Sequence, residues 1–376
     1  MDYRVFETVA AKASLLGFGC MRFPQKNGEI DESEAEKMID VAYAKGVNYF
    51  DTAYVYHDGK SEAFTGKVLG KYERESYFLA TKLPCWLVQS VDDAKRLFQE
   101  QLDRLGKDYV DFYLLHSLGE ESWNKMVDLG IISFCEDLQK AGKIRYFGFS
   151  FHDEYPVFEK IASYRKWDFC QIQLNYIDTE MQAGMKGYAL AEKLGIPLVI
   201  MEPIKGGSLA NLPEDITNAF ANVTPGASPA SFALRYIASL PNVKVILSGM
   251  STMEQLMENT ALFSPFCPLN VMEQAAIEDV AAIIKGKVRN GCTNCRYCMP
   301  CPAGVDIPGN FALWNERAML NDVGSIRWHW EIGMPDKAKA KNCIGCGQCE
   351  ELCPQSLSIR DNLATLQFEL DELCKK

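Results

Sequence analysis

Residues 77–116 read YFLATKLPCWLVQSVDDAKRLFQEQLDRLGKDYVDFYLLH, and their rhythm decides the fold. A β-rich run at Tyr77–Thr81 gives way to an amphipathic stretch at Val91–Leu105, and a second β-rich run follows at Val110–His116. Strand, helix, strand in that order builds a parallel sheet with helical crossovers. The alternation continues on both sides. Strands are expected at Leu15–Gly19, Val47–Asp51, Ile144–Ser150, Phe169–Leu174, Pro197–Glu202 and Val243–Ser248, with helical patterns such as Glu32–Lys45 and Pro229–Ile237 between them. The first of these helices opens at a capping-like Asp31-x-x-Glu34. Eight strands alternating with helices over roughly 250 residues predict an α/β fold, a (β/α)8 TIM barrel. Tyr3–Lys12 reads as a hairpin closing the barrel floor.

Composition narrows the function classes. The net charge of −11 argues against a nucleic-acid surface, because phosphate contacts need clustered Lys and Arg. No apolar run approaches the ~20 residues of a membrane-spanning helix. The N-terminal MDYRVFETVA lacks a basic n-region followed by an apolar core. The expectation is a cytoplasmic chain with no nucleic acid and no membrane among its partners.

The 14 cysteines are unevenly spread. Cys20, Cys85, Cys135, Cys170, Cys267 and Cys374 stand singly, and the other eight fall into two tight groups after Gly291. The first is Cys292-Thr-Asn-Cys295-Arg-Tyr-Cys298-Met-Pro-Cys301-Pro302. The second, Cys343-Ile-Gly-Cys346-Gly-Gln-Cys349-Glu-Glu-Leu-Cys353-Pro354, matches the bacterial ferredoxin run C-x2-C-x2-C-x3-C-P without deviation. Three cysteines at two-residue gaps wrap one cubane, and the fourth, before Pro, ligates the partner cluster. That rule assigns Cys292, Cys295, Cys298 and Cys353 to one [4Fe-4S] cluster, and Cys343, Cys346, Cys349 and Cys301 to the other. The first group departs from the run by one residue before Cys301. Structural zinc is the bland alternative, but zinc sites pair C-x2-C motifs across a longer loop rather than aligning three thiolates with a Cys-Pro. The organisation expected is a barrel at 1–267, a linker helix at 268–290 and an α-helical ferredoxin-like two-cluster domain at 291–376. Between the cysteine groups FALWNERAML and IRWHWEIG read as helical, and Trp314, Trp328 and Trp330 are expected to cover the clusters.

A barrel carries its chemistry at the C-terminal ends of its strands. Asp51 ends the second strand in Asp51-Thr52-Ala53-Tyr54-Val55-Tyr56, Lys82 ends the third in Ala80-Thr81-Lys82, and His116 ends the fourth in Leu114-Leu115-His116. Taken singly, Asp51 fits a helix N-cap, Lys82 a surface charge, Tyr56 loop packing and His116 a core histidine. All four at successive strand ends outweigh that. Over residues 3–265 the chain resembles the aldo/keto reductase superfamily, whose D-T-A-x-x-Y, T-K and L-L-H motifs occur here in order.

The resemblance implies Tyr56 as general acid/base, Lys82 as its tuning partner, Asp51 as the anchor of Lys82, and His116 as the group that orients a carbonyl oxygen. It implies a nicotinamide cofactor, NADH or NADPH, at the barrel mouth. Ser150, in Gly148-Phe149-Ser150-Phe151-His152, and Gln171 would hold the carboxamide, with Phe151 replacing the family's amide side chain. Met201 falls where many members stack a tyrosine on the nicotinamide. Lys205-Gly206-Gly207 would meet the pyrophosphate, and Glu258-Asn259 the adenine. The segment 248–255 carries no basic side chain for a 2′-phosphate, which favours NADH. Trp86, Leu87 and Leu118 are expected to line a pocket for a small carbonyl or alcohol.

Hydride chemistry moves two electrons and clusters move one, so the two halves pose a mismatch. Three readings follow. The clusters exchange electrons with an external redox partner such as a ferredoxin, or they brace the fold of a reductase. In the third, the chain is an electron-transfer subunit whose barrel is a docking scaffold.

Overall fold

The eight β-rich runs close into a ring. In a computed structural model the barrel strands are β1 Leu16–Gly19, β2 Tyr49–Asp51, β3 Phe78–Leu83, β4 Val110–Leu118, β5 Ile144–Phe151, β6 Phe169–Gln173, β7 Leu198–Met201 and β8 Val243–Ser248. Every neighbouring pair is parallel, and β8 returns to β1 with Ile246 opposite Leu16 and Ser248 opposite Phe18. The residues described are 1–9, 11–292, 296, 298–320, 322–353 and 355–375, with the side chain of Asp215 not among them; the expected ligand Cys295 lies outside this set.

Alternation along each strand divides the apolar side chains between two cores. On β4, Phe112 and Leu114 point into the barrel with Tyr49, Ala80, Phe169, Val199 and Val245. Tyr113 and Leu115 point outward into the larger core beneath the helices. The strands Tyr3–Phe6 and Ala11–Ser14 pair as the expected hairpin, and Phe6 plugs the barrel with its ring 5.2 Å from Phe112. Local signals set the helices. Asp31 Oδ1 accepts from the Glu34 amide at 3.2 Å and opens Glu32–Ala44. Ser90 caps Val91–Leu105, which ends at Gly106 with φ +60°.

By contact density the chain forms two compact units, 1–205 with 231–270, and 206–230 with 271–376. The second unit is helical: Glu214–Val223, Val271–Gly286, Ile307–Met319, Val323–Trp328 and Ile359–Cys374 are its principal helices. Its core joins Phe311, Trp314, Ile326 and Trp330 to Leu363, Leu366 and Leu370 of the C-terminal helix. Trp314 Nε1 donates to Glu369 at 2.8 Å and Trp330 Nε1 to Asp371 at 3.2 Å. These two indoles therefore anchor the C-terminal helix, while Trp328 is exposed. No described helix is long and apolar enough to cross a membrane.

Candidate active site and cysteine cavities

The strand ends of β2, β3 and β4 bring the four expected residues together. Lys82 is fully buried and Asp51 nearly so. Lys82 Nζ donates to Asp51 Oδ1 at 2.6 Å, to the Thr52 carbonyl at 2.8 Å and to the Tyr56 hydroxyl at 3.4 Å. Burial, the largest single influence, pushes the ammonium down, but the Asp51 carboxylate and Tyr56 together outweigh it and hold Lys82 above the ordinary lysine range. Burial raises the Tyr56 phenol, and the Lys82 ammonium pulls it back. Tyr56 thus stays protonated at neutral pH with its conjugate base matched to a cation.

His116 lies edge-on to Tyr56, with ring centroids 6.1 Å apart and 82° between planes. Burial, then the Lys82 ammonium and His152, push its imidazole down to about 3, so it is neutral and carries one N–H donor. Its Nδ1 is buried without a partner among the described residues. Trp86, 46% exposed, packs against His116 at 5.1 Å and forms an aromatic wall at the mouth. Leu87 is exposed beside it. Leu118 corrects the expectation: β4 runs on to include it, and it is wholly buried rather than lining a pocket.

Pairing of β5 with β6 sets Ser150 beside Gln171. Ser150 Oγ accepts from the Ser117 amide at 2.8 Å. Gln171 Nε2 donates to Met201 Sδ at 3.3 Å, and Gln171 Oε1 is buried without a partner among the described residues, an acceptor suited to a carboxamide. Lys205 is held by Asp178 at 3.0 Å, and Gly206 begins the second unit with φ +64°. On the helix Met253–Leu262, Asn259 is buried and donates to Ser248 Oγ at 3.0 Å, whereas Glu258 is exposed. Arg22 was missed by reading 248–255 alone. It follows β1 in sequence, yet a Cβ on Gly249 would stand 3.0 Å from its Cδ, and Ser251 Oγ donates to its carbonyl. Glu62 and Gln101, buried behind the strand ends of β2 and β3, and the half-buried Arg104 beside them also give no sequence signal.

In the second unit the cysteines converge on two cavities. One, of about 130 Å³, is lined by Cys298, Cys301, Cys343, Cys346 and Cys349. A narrower one is lined by Cys292, Cys298 and Cys353 with Ile307, Pro308 and Phe311. Cys298 borders both cavities. Burial, the Glu350 carboxylate and the neighbouring Cys343 and Cys346 push the Cys349 thiol up to about 11. Crowded thiols of this kind become thiolates when a metal cation compensates their charge, so the donor set fits an iron–sulfur core.

A closed parallel barrel with a buried carboxylate–ammonium–phenol row at its strand ends defines a barrel oxidoreductase. The chain belongs to the aldo/keto reductase family, whose model matches residues 15–282, and residues 291–357 match a 4Fe-4S dicluster domain. Among curated relatives, an uncharacterized oxidoreductase of Bacillus subtilis, YqkF, is 28% identical over 294 residues, covering 69% of this chain and 90% of its own. L-galactose dehydrogenase of Arabidopsis thaliana is 25% identical over 309 residues, covering 76% and 95%. The solved structure of the holo form of aldo-keto reductase AKR11C1 from Bacillus halodurans superposes with a TM-score of 0.63 at 27% identity, covering 74% of this chain and 96% of that one.

Proposed function

We propose that the barrel interconverts a carbonyl and an alcohol on a small-molecule substrate with NADH or NADPH, and that the C-terminal unit holds two [4Fe-4S] clusters. The observation that carries the proposal is the row Asp51–Lys82–Tyr56, with Nζ 2.6 Å from the carboxylate and 3.4 Å from the phenol. A bound nicotinamide supplies the hydride. Ser150 and Gln171 would hold its carboxamide, Met201 would cover the ring, Lys205 and Gly206 would face the pyrophosphate, and Glu258 and Asn259 the adenine.

The chain's own groups manage the proton. The His116 N–H orients the carbonyl oxygen and stabilises the charge that develops on it. The Tyr56 hydroxyl donates its proton to that oxygen, and the Lys82 ammonium stabilises the phenolate left behind. Asp51 keeps Lys82 charged. In the direction of alcohol oxidation the same phenolate accepts the proton. Tyr56→Phe should lower kcat for reduction of an aromatic aldehyde by about two to four orders of magnitude while nucleotide binding persists. Unchanged turnover would sink the proposal.

The choice of nucleotide turns on Arg22. Segment 248–255 offers no cation and favours NADH, whereas Arg22 borders that segment from the β1 end. Titration of wild type and Arg22→Ala with both nucleotides decides it. A tenfold preference for NADPH that Arg22→Ala removes would assign the 2′-phosphate to Arg22.

Cys292, Cys295, Cys298 and Cys353 would hold one cluster, and Cys301, Cys343, Cys346 and Cys349 the other, supplying one-electron exchange with a redox partner protein such as a ferredoxin. A second reading, clusters that brace the fold, is favoured by the packing of Cys292, Cys298, Cys301, Cys343, Cys349 and Cys353 against the apolar core of their unit. Photoreduction followed by rapid mixing with aldehyde separates the two: under bracing the rate is unaltered.

A further inference from the structure

Behind Tyr56 and Lys82 lies a second carboxylate that the proposed chemistry does not use. Glu62 stands in the first turn of the helix Ser61–Leu69 with its side chain wholly buried. Its Oε1 accepts from Thr81 Oγ1 at 2.6 Å and from Gln101 Nε2 at 2.9 Å, and its Oε2 accepts from Arg104 Nη1 at 3.4 Å. Two of these donors reach on to the main chain of the active site. Gln101 Nε2 also donates to the Lys82 carbonyl at 2.9 Å, and Tyr113 donates to Gln101 Oε1 at 2.8 Å, which fixes the amide's orientation. Arg104 Nη1 also donates to the Tyr54 carbonyl at 3.1 Å, and its guanidinium lies 3.9 Å over the Tyr54 ring.

The arrangement requires close helices. At Gly66 a Cβ would stand 2.1 Å from the Leu105 carbonyl oxygen, so Ser61–Leu69 and Val91–Leu105 touch backbone to backbone there. That approach brings Glu62 within reach of both Gln101 and Arg104. One buried carboxylate therefore links the strand end that carries Lys82 to the loop that carries Tyr56, two elements whose side chains must meet. They meet at 3.4 Å, at the outer limit of a hydrogen bond, where a shift of a few tenths of an ångström decides whether the ammonium still tunes the phenol.

We propose that Glu62 is a positioning residue for the Tyr56–Lys82 pair, clamping the Lys82 carbonyl through Gln101 and the Tyr54 carbonyl through Arg104. The inference rests on the reading of Tyr56 as general acid/base. Its test is the pH dependence of kcat for aromatic aldehyde reduction by the full-length protein, with active sites counted by nucleotide binding and thermal melts run alongside. Glu62→Gln should lower kcat per bound nucleotide about tenfold or more, because small misplacements of reacting groups are costly. With Lys82 displaced the phenol is less acidic, so the alkaline limb of the reduction profile moves to higher pH. Should Glu62→Gln not fold, Arg104→Met carries the test, since Arg104 is partly exposed, and Arg104→Lys should recover part of the loss. A lowered melting temperature with wild-type kcat and pH profile in these variants would overturn the inference. Turnover retained by Tyr56→Phe would instead overturn the reading beneath it.

Discussion

At the scale of the residue, the buried Lys82–Asp51 pair does two jobs that mutagenesis can separate. Both groups are out of water, so deleting the ammonium leaves an uncompensated carboxylate whose Oδ2 already lacks a partner among the described residues. Lys82→Met should cost about 3–5 kcal/mol of stability, read as a fall in the urea midpoint. Adding Asp51→Asn should restore much of that loss, because the stranded charge is gone, while turnover stays lost in both variants. A double variant no more stable than the single one would show that packing, not charge, sets the cost. His116 makes a pH prediction. Its folded imidazole takes a proton only near pH 3, whereas the unfolded side chain takes one near 6.5. Between those values the unfolded chain binds more protons, so the stability this burial contributes is complete above pH 6.5 and drains away as pH falls towards 3. Replacing His116 with Gln should flatten that limb of the stability curve; an unchanged limb would assign it to other groups. Asp51, Lys82 and His116 were legible in the sequence because each sits at or near a strand end inside a short motif, and Tyr56 because its loop continues the motif that Asp51 opens. Glu62, Gln101 and Arg104 were not: their contacts span 12 to 50 residues, and a glutamate in a first helical turn reads as an ordinary dipole partner. Arg22 escaped for the same reason, lying against a loop over 220 residues away.

At the scale of the element, periodicity carried most of the fold. The eight strands, the floor hairpin and the helices Glu32–Ala44, Val91–Leu105 and Pro229–Ala238 fall within a few residues of where apolar patterning put them. The differences have local causes. β4 extends to Leu118 because its pairing resumes opposite Phe151 after an irregularity, and that continuation buries a side chain expected at the mouth. In the second unit the tryptophans are expected to cover the clusters, but an indole also needs an acceptor when buried, and Glu369 and Asp371 on the C-terminal helix provide it for Trp314 and Trp330. Close approach of backbones is invisible to patterning altogether. Gly66→Ala should force Ser61–Leu69 and Val91–Leu105 apart and destabilise the barrel by about 3 kcal/mol, at the upper end for overpacking. Because the displaced helix carries Glu62, the same substitution should depress kcat among the molecules that remain folded. A stable Gly66→Ala protein with full activity would contradict both expectations.

At the scale of the whole molecule, the question is what eight clustered cysteines add to a barrel that already holds the Asp51–Lys82–Tyr56 row. The two units have separate apolar cores, one built on strands and helices of the barrel and one on helices joined by cysteine-bearing loops. The second core is small and thiols pack along its edge; small cores commonly gain from metal reinforcement, so the bracing reading makes its order depend on what those thiols bind. Anaerobically purified protein should hold about eight iron atoms per chain, four for each cluster. Stripping them with a chelator under reducing conditions should abolish the near-ultraviolet circular dichroism of Trp314 and Trp330 and remove a separate unfolding transition. The barrel transition should persist, since Asp51, Tyr56, Lys82 and His116 belong to the other unit. Zinc at two ions per chain with no iron would overturn the cluster assignment. Loss of the barrel transition together with the iron would show that the two cores are not independent. Persistence of both transitions in iron-free protein would mean that the metal does not brace the fold, and electron exchange would then be the reading left for the clusters.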